Sequence, residues 1–203
     1  SKHSNIRYTR MKYVESEVIE KATTLFWQKG FQAAGMRDIQ QALDMRPGSI
    51  YARFKSKEGL FQLVVEKYVT NSQEKLSIVI NADCPLDALR AFFVSELINP
   101  EEMRFQRQCL LIKSITELEM LGENGKQSVL DGMSTLKACF KSIVEKAVQT
   151  NSLPTSTPVD KAADWLQNQF VGLRTFALMQ SDDHAIETMI DKVLIDLKTS
   201  WPE

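Results

Sequence analysis

Apolar residues recur at spacings of three and four from Val14 almost to the end of the chain, and no other feature constrains the fold as much. Val14, Val18, Ala22, Leu25 and Phe26 share one face of a helix that stops at Gly30, just after Lys29. Met36, Ile39, Ala42 and Leu43 set a second, short helix over 36–43, with Gly35 as its N-cap. "DMR" is a tight connector, and Pro47 opens a third short helix over 47–54, in the first turn where a missing N–H costs nothing. Ser56 reads as the N-cap of a long fourth helix over 57–80, with Leu60, Leu63, Val64 and Lys67/Tyr68 on its inner face and Leu76 and Ile80 continuing it.

Beyond Pro85 the pattern grows more apolar. "LDALRAFFVSELI" is one helix, stopped by Asn99-Pro100, and "EEMRFQRQCLLIKSITELEML" reads as a single helix ending at "GENG". "KQSVLDGMSTLKACFKSIVEKAVQT" follows and is broken by "NSLPTSTP"; two helices over 159–180 and 183–200 close the chain. No strand alternation of useful length and no internal repeat appear, so the fold class is all-α. The organisation read from this is an N-terminal arm and helix-turn-helix domain over 1–56. A larger C-terminal helical domain follows over 57–203, with helix 57–80 as connector.

At 203 residues, 43% hydrophobic and 25% charged, the chain can bury a core and is not a disordered segment. No run of about 18 apolar residues marks a membrane span, and "SKHSNIRYTRMKY" lacks the apolar region of a secretory signal. Cys84, Cys109 and Cys139, at separations of 25 and 30, fit neither a zinc site nor a disulfide framework, so reduced thiols are expected. His3 and His184 are the only histidines, and no Gly-rich phosphate loop is present. These absences argue against an enzyme, and no motif points to a metal or another cofactor. The net charge of −1 conceals an asymmetry: residues 1–60 carry eleven Lys/Arg against six Asp/Glu, the remainder fourteen against twenty. A basic end on an acidic body suits a polyanion partner.

The stretch "RPGSIYARFKSKEGLF" at 46–61 concentrates that charge. Ile50 and Phe54 lie four apart and face inward, which leaves Pro47, Gly48, Ser49, Tyr51, Ala52 and Arg53 on the other face. Gly48 has no side chain, so backbone can approach DNA closely. Arg46 and Ser49 suit base edges, and Pro47 and Ala52 suit thymine methyls. Tyr51, Arg53 and Lys55 suit phosphates, as does Arg37 at the start of the second helix. Residues 14–65, "AxxLFWQKGF…MRDIQQALDMRPGSIYARFKSKEGLF", closely resemble the N-terminal domain of the TetR/AcrR family of transcriptional regulators. A dozen positions match at fixed spacing: Ala22, Leu25, Phe26, Gly30, Phe31, Ile39, Gly48, Tyr51, Phe54, Lys57, Glu58 and Leu60. Lys57 stands where the family places a phosphate-contacting lysine. Three positions depart from the family pattern. Ala34-Gly35 replaces a Thr/Ser entry to helix two, and Asp44 replaces a turn glycine while tolerating left-handed backbone. Ala52 replaces a larger residue.

The resemblance implies a bacterial, cytoplasmic, dimeric repressor whose C-terminal domain binds a small-molecule effector. "CLLIKSITEL" and "GLRTFAL" resemble a subgroup of the family. Effector-pocket candidates are Phe92, Phe93, Met103, Phe105, Gln106, Cys109, Ile112, Phe140, Trp165, Gln169 and Phe170. Some members of that subgroup sense oxidants or electrophiles through a cysteine in a similar stretch, which makes Cys109 a redox-sensing candidate; a buried inert thiol is the alternative. Leu166, Phe170, Gly172 and Leu173 on one helix, with Ile186, Met189, Ile190, Val193, Leu194 and Leu197 on the next, suit a homodimer interface. The competing reading keeps the fold but loses sequence-specific DNA binding, leaving a helical interaction protein.

Overall fold

The computed structural model describes residues 2–98, 104–199 and 201; the side chains of 2–14, 104 and 105 lie outside that description. Among the described residues the elements are α1 (Lys2–Lys29), α2 (Met36–Leu43), α3 (Pro47–Phe54), α4 (Lys57–Ile80), α5 (Pro85–Ile98), α6 (Leu110–Ile115), α7 (Glu123–Gln149), α8 (Val159–Met179) and α9 (Asp183–Leu197). Short 3-10 turns lie at Arg104–Arg107 and Leu118–Met120. The fold is all-helical, as the spacing predicts. The chain forms two compact units, residues 1–68 with 113–130 and residues 69–112 with 131–203.

In the first unit most of the residues expected to point inward are buried; Met36, Ala42 and Leu63 are half-buried, and the side chain of Val14 lies outside the described residues. Phe26, Ile39, Ile50, Leu60, Phe61 and Val64 are all at most 1% exposed. Phe61 packs edge-on against Phe26 and Phe31 at 5.4 and 5.0 Å. Burying each such side chain contributes about 1.5–3 kcal/mol. Ser56 caps α4 as predicted, its hydroxyl accepting from the Gly59 N–H at 2.9 Å. A Cβ on Gly59 would lie 2.2 Å from the Phe54 carbonyl oxygen, so only glycine lets α4 start this close to the end of α3. The residues expected as an N-terminal arm belong to α1 from Lys2 onward.

The segment 113–125 completes this unit. Lys113 Nζ donates to the Trp27 and Gln28 carbonyls at 2.8 Å each, and these are last-turn carbonyls of α1 without a helical partner. The Glu117 carboxylate accepts from the Phe31 and Gln32 N–H groups at 2.7 and 3.2 Å. Glu58 accepts from the Gly125 N–H at 2.9 Å and so caps α7. That contact corrects one expectation: "ENG" is not a break but the first turn of α7, opened by a carboxylate from a distant helix.

In the second unit α5, α8 and α9 pack on one another, and Arg90 on α5 ties to Asp191 and Glu187 on α9. The single helix expected over 101–121 is not formed. Arg174, 5% exposed, takes the Arg107 and Gln106 carbonyls at 2.7 Å each, so the backbone turns out of helical pairing there. The Arg107 guanidinium donates to the Ala177 carbonyl at 3.2 Å near the end of α8. The last helix stops at Leu197, short of the expected 200.

Candidate nucleic-acid interface

Helix α3 is placed by its neighbours and leaves its outward face free. Asp44 adopts φ 50° and ψ 46°, the left-handed conformation expected of the turn, and closes α2 by donating its N–H to the Gln40 carbonyl. Arg46 is the extended N-cap of α3, Pro47 its first residue, and Ile50 and Phe54 its buried anchors. Arg46, Pro47, Gly48, Ser49, Tyr51, Ala52, Arg53 and Lys55 are all exposed, Tyr51 by half. A Cβ on Gly48 would have nothing within 4 Å, so this first turn is open to a large partner.

The cations differ in how firmly they are held. Lys57 is half-buried, its ammonium 4.4 Å from the Phe31 ring centroid and 3.4 Å from the Gln32 carbonyl. Burial pushes its pKa down, with Glu117 and Asp38 acting the other way. Lys55 Nζ reaches the Ala52 carbonyl at 3.2 Å, and Arg53 lies 3.7 Å from Glu15 in an exposed pair that contributes little. Arg37 is exposed in the first turn of α2.

The missing hydroxyl before α2 has a substitute. Asp38 reaches back to accept from the Gly35 N–H at 3.0 Å and pairs with Lys29 at 2.6 Å. That is half of a capping box, supplied from the third helical residue. Lys29, then the Gly35 N–H, hold the Asp38 carboxyl below the usual carboxylate range.

The other candidates separate. Phe92, Phe93, Phe140 and Phe170 form one aromatic cluster, with Phe93 and Phe170 stacked at 4.7 Å. Phe93, Phe140 and Phe170 are buried in it. Trp165 instead meets Trp201 edge-on at 5.6 Å. Cys109 is buried where the chain enters α6, while Gln106, Ile112 and Gln169 are half-buried. Met103 and the side chain of Phe105 lie outside the described residues. A groove of about 470 Å³ does open in this unit, but Phe92 alone of the candidates lines it, together with Lys75, Ile78, Val79, Ala88, Ala91, Ser95 and Glu96. Sequence reasoning missed these; the one available signal was Glu96, a charge inside an apolar helical stripe.

Of the interface candidates, Leu166, Phe170, Leu173, Ile186, Ile190, Val193, Leu194 and Leu197 are buried within the chain itself, because α8 and α9 spend their densest apolar stripes on each other and on α5. Gly172 and Met189 are exposed, and Met179 and Ile195, which were not singled out, are exposed by 75% and 61%.

Comparison with known proteins agrees with this geometry. Residues 18–64 match the model of the tetR family of bacterial regulatory proteins, and residues 85–193 match that of a tetracyclin repressor-like C-terminal domain. The HTH-type transcriptional repressor BdcR of Escherichia coli (strain K12) is 33% identical over 85 residues, which span 42% of this chain and 43% of that protein. A TetR-family regulator from Agrobacterium tumefaciens superimposes with a TM-score of 0.79 at 18% identity, over 93% of this chain and 99% of that one. A cysteine mutant of the TetR-family regulator CifR, solved with 26-base-pair double-strand operator DNA, gives 0.75 at 19% identity, over 91% and 95%. With both halves matched, and the anchors and outward face of α3 arranged as a helix-turn-helix requires, the chain belongs to the TetR family of helix-turn-helix transcriptional regulators.

Proposed function

We propose that this chain is a homodimeric repressor that binds a palindromic DNA operator through α3 and releases it when a small molecule occupies the C-terminal unit. The observation that carries the reading is the division of α3. Its apolar side chains are buried, while Arg46, Ser49, Tyr51, Arg53 and Lys55 stand exposed beside an unobstructed Gly48. Phosphate contacts from Arg37, Tyr51, Arg53, Lys55 and Lys57 position the domain; Arg46, Pro47, Gly48, Ser49 and Ala52 meet base edges. BdcR, a relative over its matched part, is a repressor by name, and the CifR structure contains operator DNA.

Dimerisation is supported by Met179, Met189 and Ile195, apolar side chains that two long helices leave in water, and by Gly172, where a second backbone could approach. Two α3 helices then sit about 34–36 Å apart, or a multiple of that, along a palindrome. An effector that changes their separation by a coupling of about 1–3 kcal/mol lowers affinity about 5–150-fold. Cys109 is buried and oxidant sensing needs an accessible thiolate, so the effector binds reversibly rather than through Cys109.

Fluorescence anisotropy against the chain's own upstream DNA tests this. Salt-sensitive, sequence-selective binding is expected, with Ile195→Glu giving a monomer in sedimentation and losing operator affinity. No selective binding in a random-site selection would leave the interaction-protein reading instead.

A further inference from the structure

The groove between α4 and α5 has apolar walls of Ile78, Val79, Ala88, Ala91 and Phe92, and a polar end at Lys75 and Glu96. Glu96 is the anomaly: a carboxylate only 8% exposed on an apolar helix. One oxygen lies 3.2 Å from the Arg174 guanidinium, and the other takes the Lys75 ammonium at 2.6 Å. The two cations are not equivalent. Arg174 is buried and also holds the Gln106 and Arg107 carbonyls, so it is fixed. Lys75 has a half-exposed side chain and loses little by swinging into water.

When Lys75 leaves, Glu96 keeps Arg174 on one oxygen, but the other loses its charged partner at a cost. A cation in the place of Lys75 offsets that cost best. Lys75 shows the shape required: an apolar stem ending in one ammonium. We propose that this groove binds a lipophilic monocation, an alkyl- or arylalkylammonium, whose charged head replaces Lys75 against Glu96. Its apolar body lies along Ile78, Val79, Ala88 and Ala91, beside the Phe92 ring. A lipophilic anion is disfavoured, since a carboxylate drawn to Lys75 arrives next to Glu96. As a binding site the groove stands on its own geometry; as an effector site it rests on the regulatory reading above.

The test is calorimetric titration of the full chain with n-octylammonium, n-octanol and octanoate. The amine should bind at least about tenfold more tightly than octanoate, and Glu96→Gln should abolish that preference. Lys75→Met should tighten amine binding several-fold by removing the internal competitor, which keeps the test decisive even where Glu96→Gln does not fold. The proposal is overturned by octanoate binding as tightly as the amine, by weaker amine binding in Lys75→Met, or by no amine binding below about 1 mM. Operator release is read separately by anisotropy. Release supports the groove as the effector site; amine binding without release upholds the site and overturns only its regulatory role.

Discussion

One methyl group at Gly30 should disturb the N-terminal unit through two separable effects. Gly30 sits at φ 83°, and a Cβ there would lie 2.8 Å from both carboxylate oxygens of Glu117. Those same oxygens accept from the Phe31 and Gln32 N–H groups. Gly30→Ala therefore incurs the left-handed backbone cost, about 1–2 kcal/mol for a residue with a Cβ. It also displaces the carboxylate. The Phe31 N–H is partly buried, so leaving it unpaired costs about 1–3 kcal/mol, while water replaces the bond to the exposed Gln32 N–H. The single variant should lose about 2–5 kcal/mol in all.

Glu117→Ala should incur only the second cost, about 1–3 kcal/mol. In the double variant the methyl group meets no carboxylate, so the lost bond is counted once and stability matches Gly30→Ala alone. The cycle should then show a coupling of about 1–3 kcal/mol. Urea unfolding of the four proteins, with midpoints compared at constant slope, measures it. Additivity within about 0.5 kcal/mol would refute the argument, because it would mean that the carboxylate does not sit against Gly30.

Gly48→Ala separates folding from binding. The new Cβ meets nothing and sits within a helix, so stability should rise by up to about 1 kcal/mol. Operator affinity should fall at least about tenfold, the loss expected where one close contact goes; unchanged affinity in anisotropy would take the first turn of α3 out of the interface. Lys55→Met should leave the circular dichroism spectrum intact and reduce the slope of log affinity against log salt by about 2 for a dimer. An unchanged slope would remove Lys55 from the phosphate contacts. Asp38 gives a pH test. Its carboxyl is held below the usual range in the folded chain, so its contribution is complete above the unfolded value and is lost as pH falls through the folded one. The Gly35 amide should titrate with a midpoint below that of a free aspartate, and Lys29→Met should move it upward; a midpoint at the ordinary value contradicts the pairing.

What was legible in the sequence follows from what hydrophobic spacing reports, which is burial and not the identity of the burying partner. On α3 the two questions coincide. Ile50 and Phe54 mark the inside, so Arg46, Tyr51, Arg53 and Lys55 must be outside, and both assignments hold. Local chemistry was legible too: Ser56 caps α4 and Asp44 turns left-handed because each acts on its own neighbours. The failures come where a distant side chain decides. Nothing between 101 and 121 announces that Arg174 will claim two of its carbonyls, and nothing near "GENG" announces Glu58. On α8 and α9 the spacing again reports burial faithfully, but the chain's own core takes that stripe and leaves Gly172, Met179, Met189 and Ile195 exposed. Phe93, Phe140 and Phe170, read from the sequence as pocket candidates, are buried in the core, and the groove is lined instead by smaller residues and one misplaced charge that fail to fill the space beside Phe92. A functional face that is simply the complement of the core can be read from periodicity. A cavity or an interface competes with the core for the same residues, and only the packed structure shows which side won.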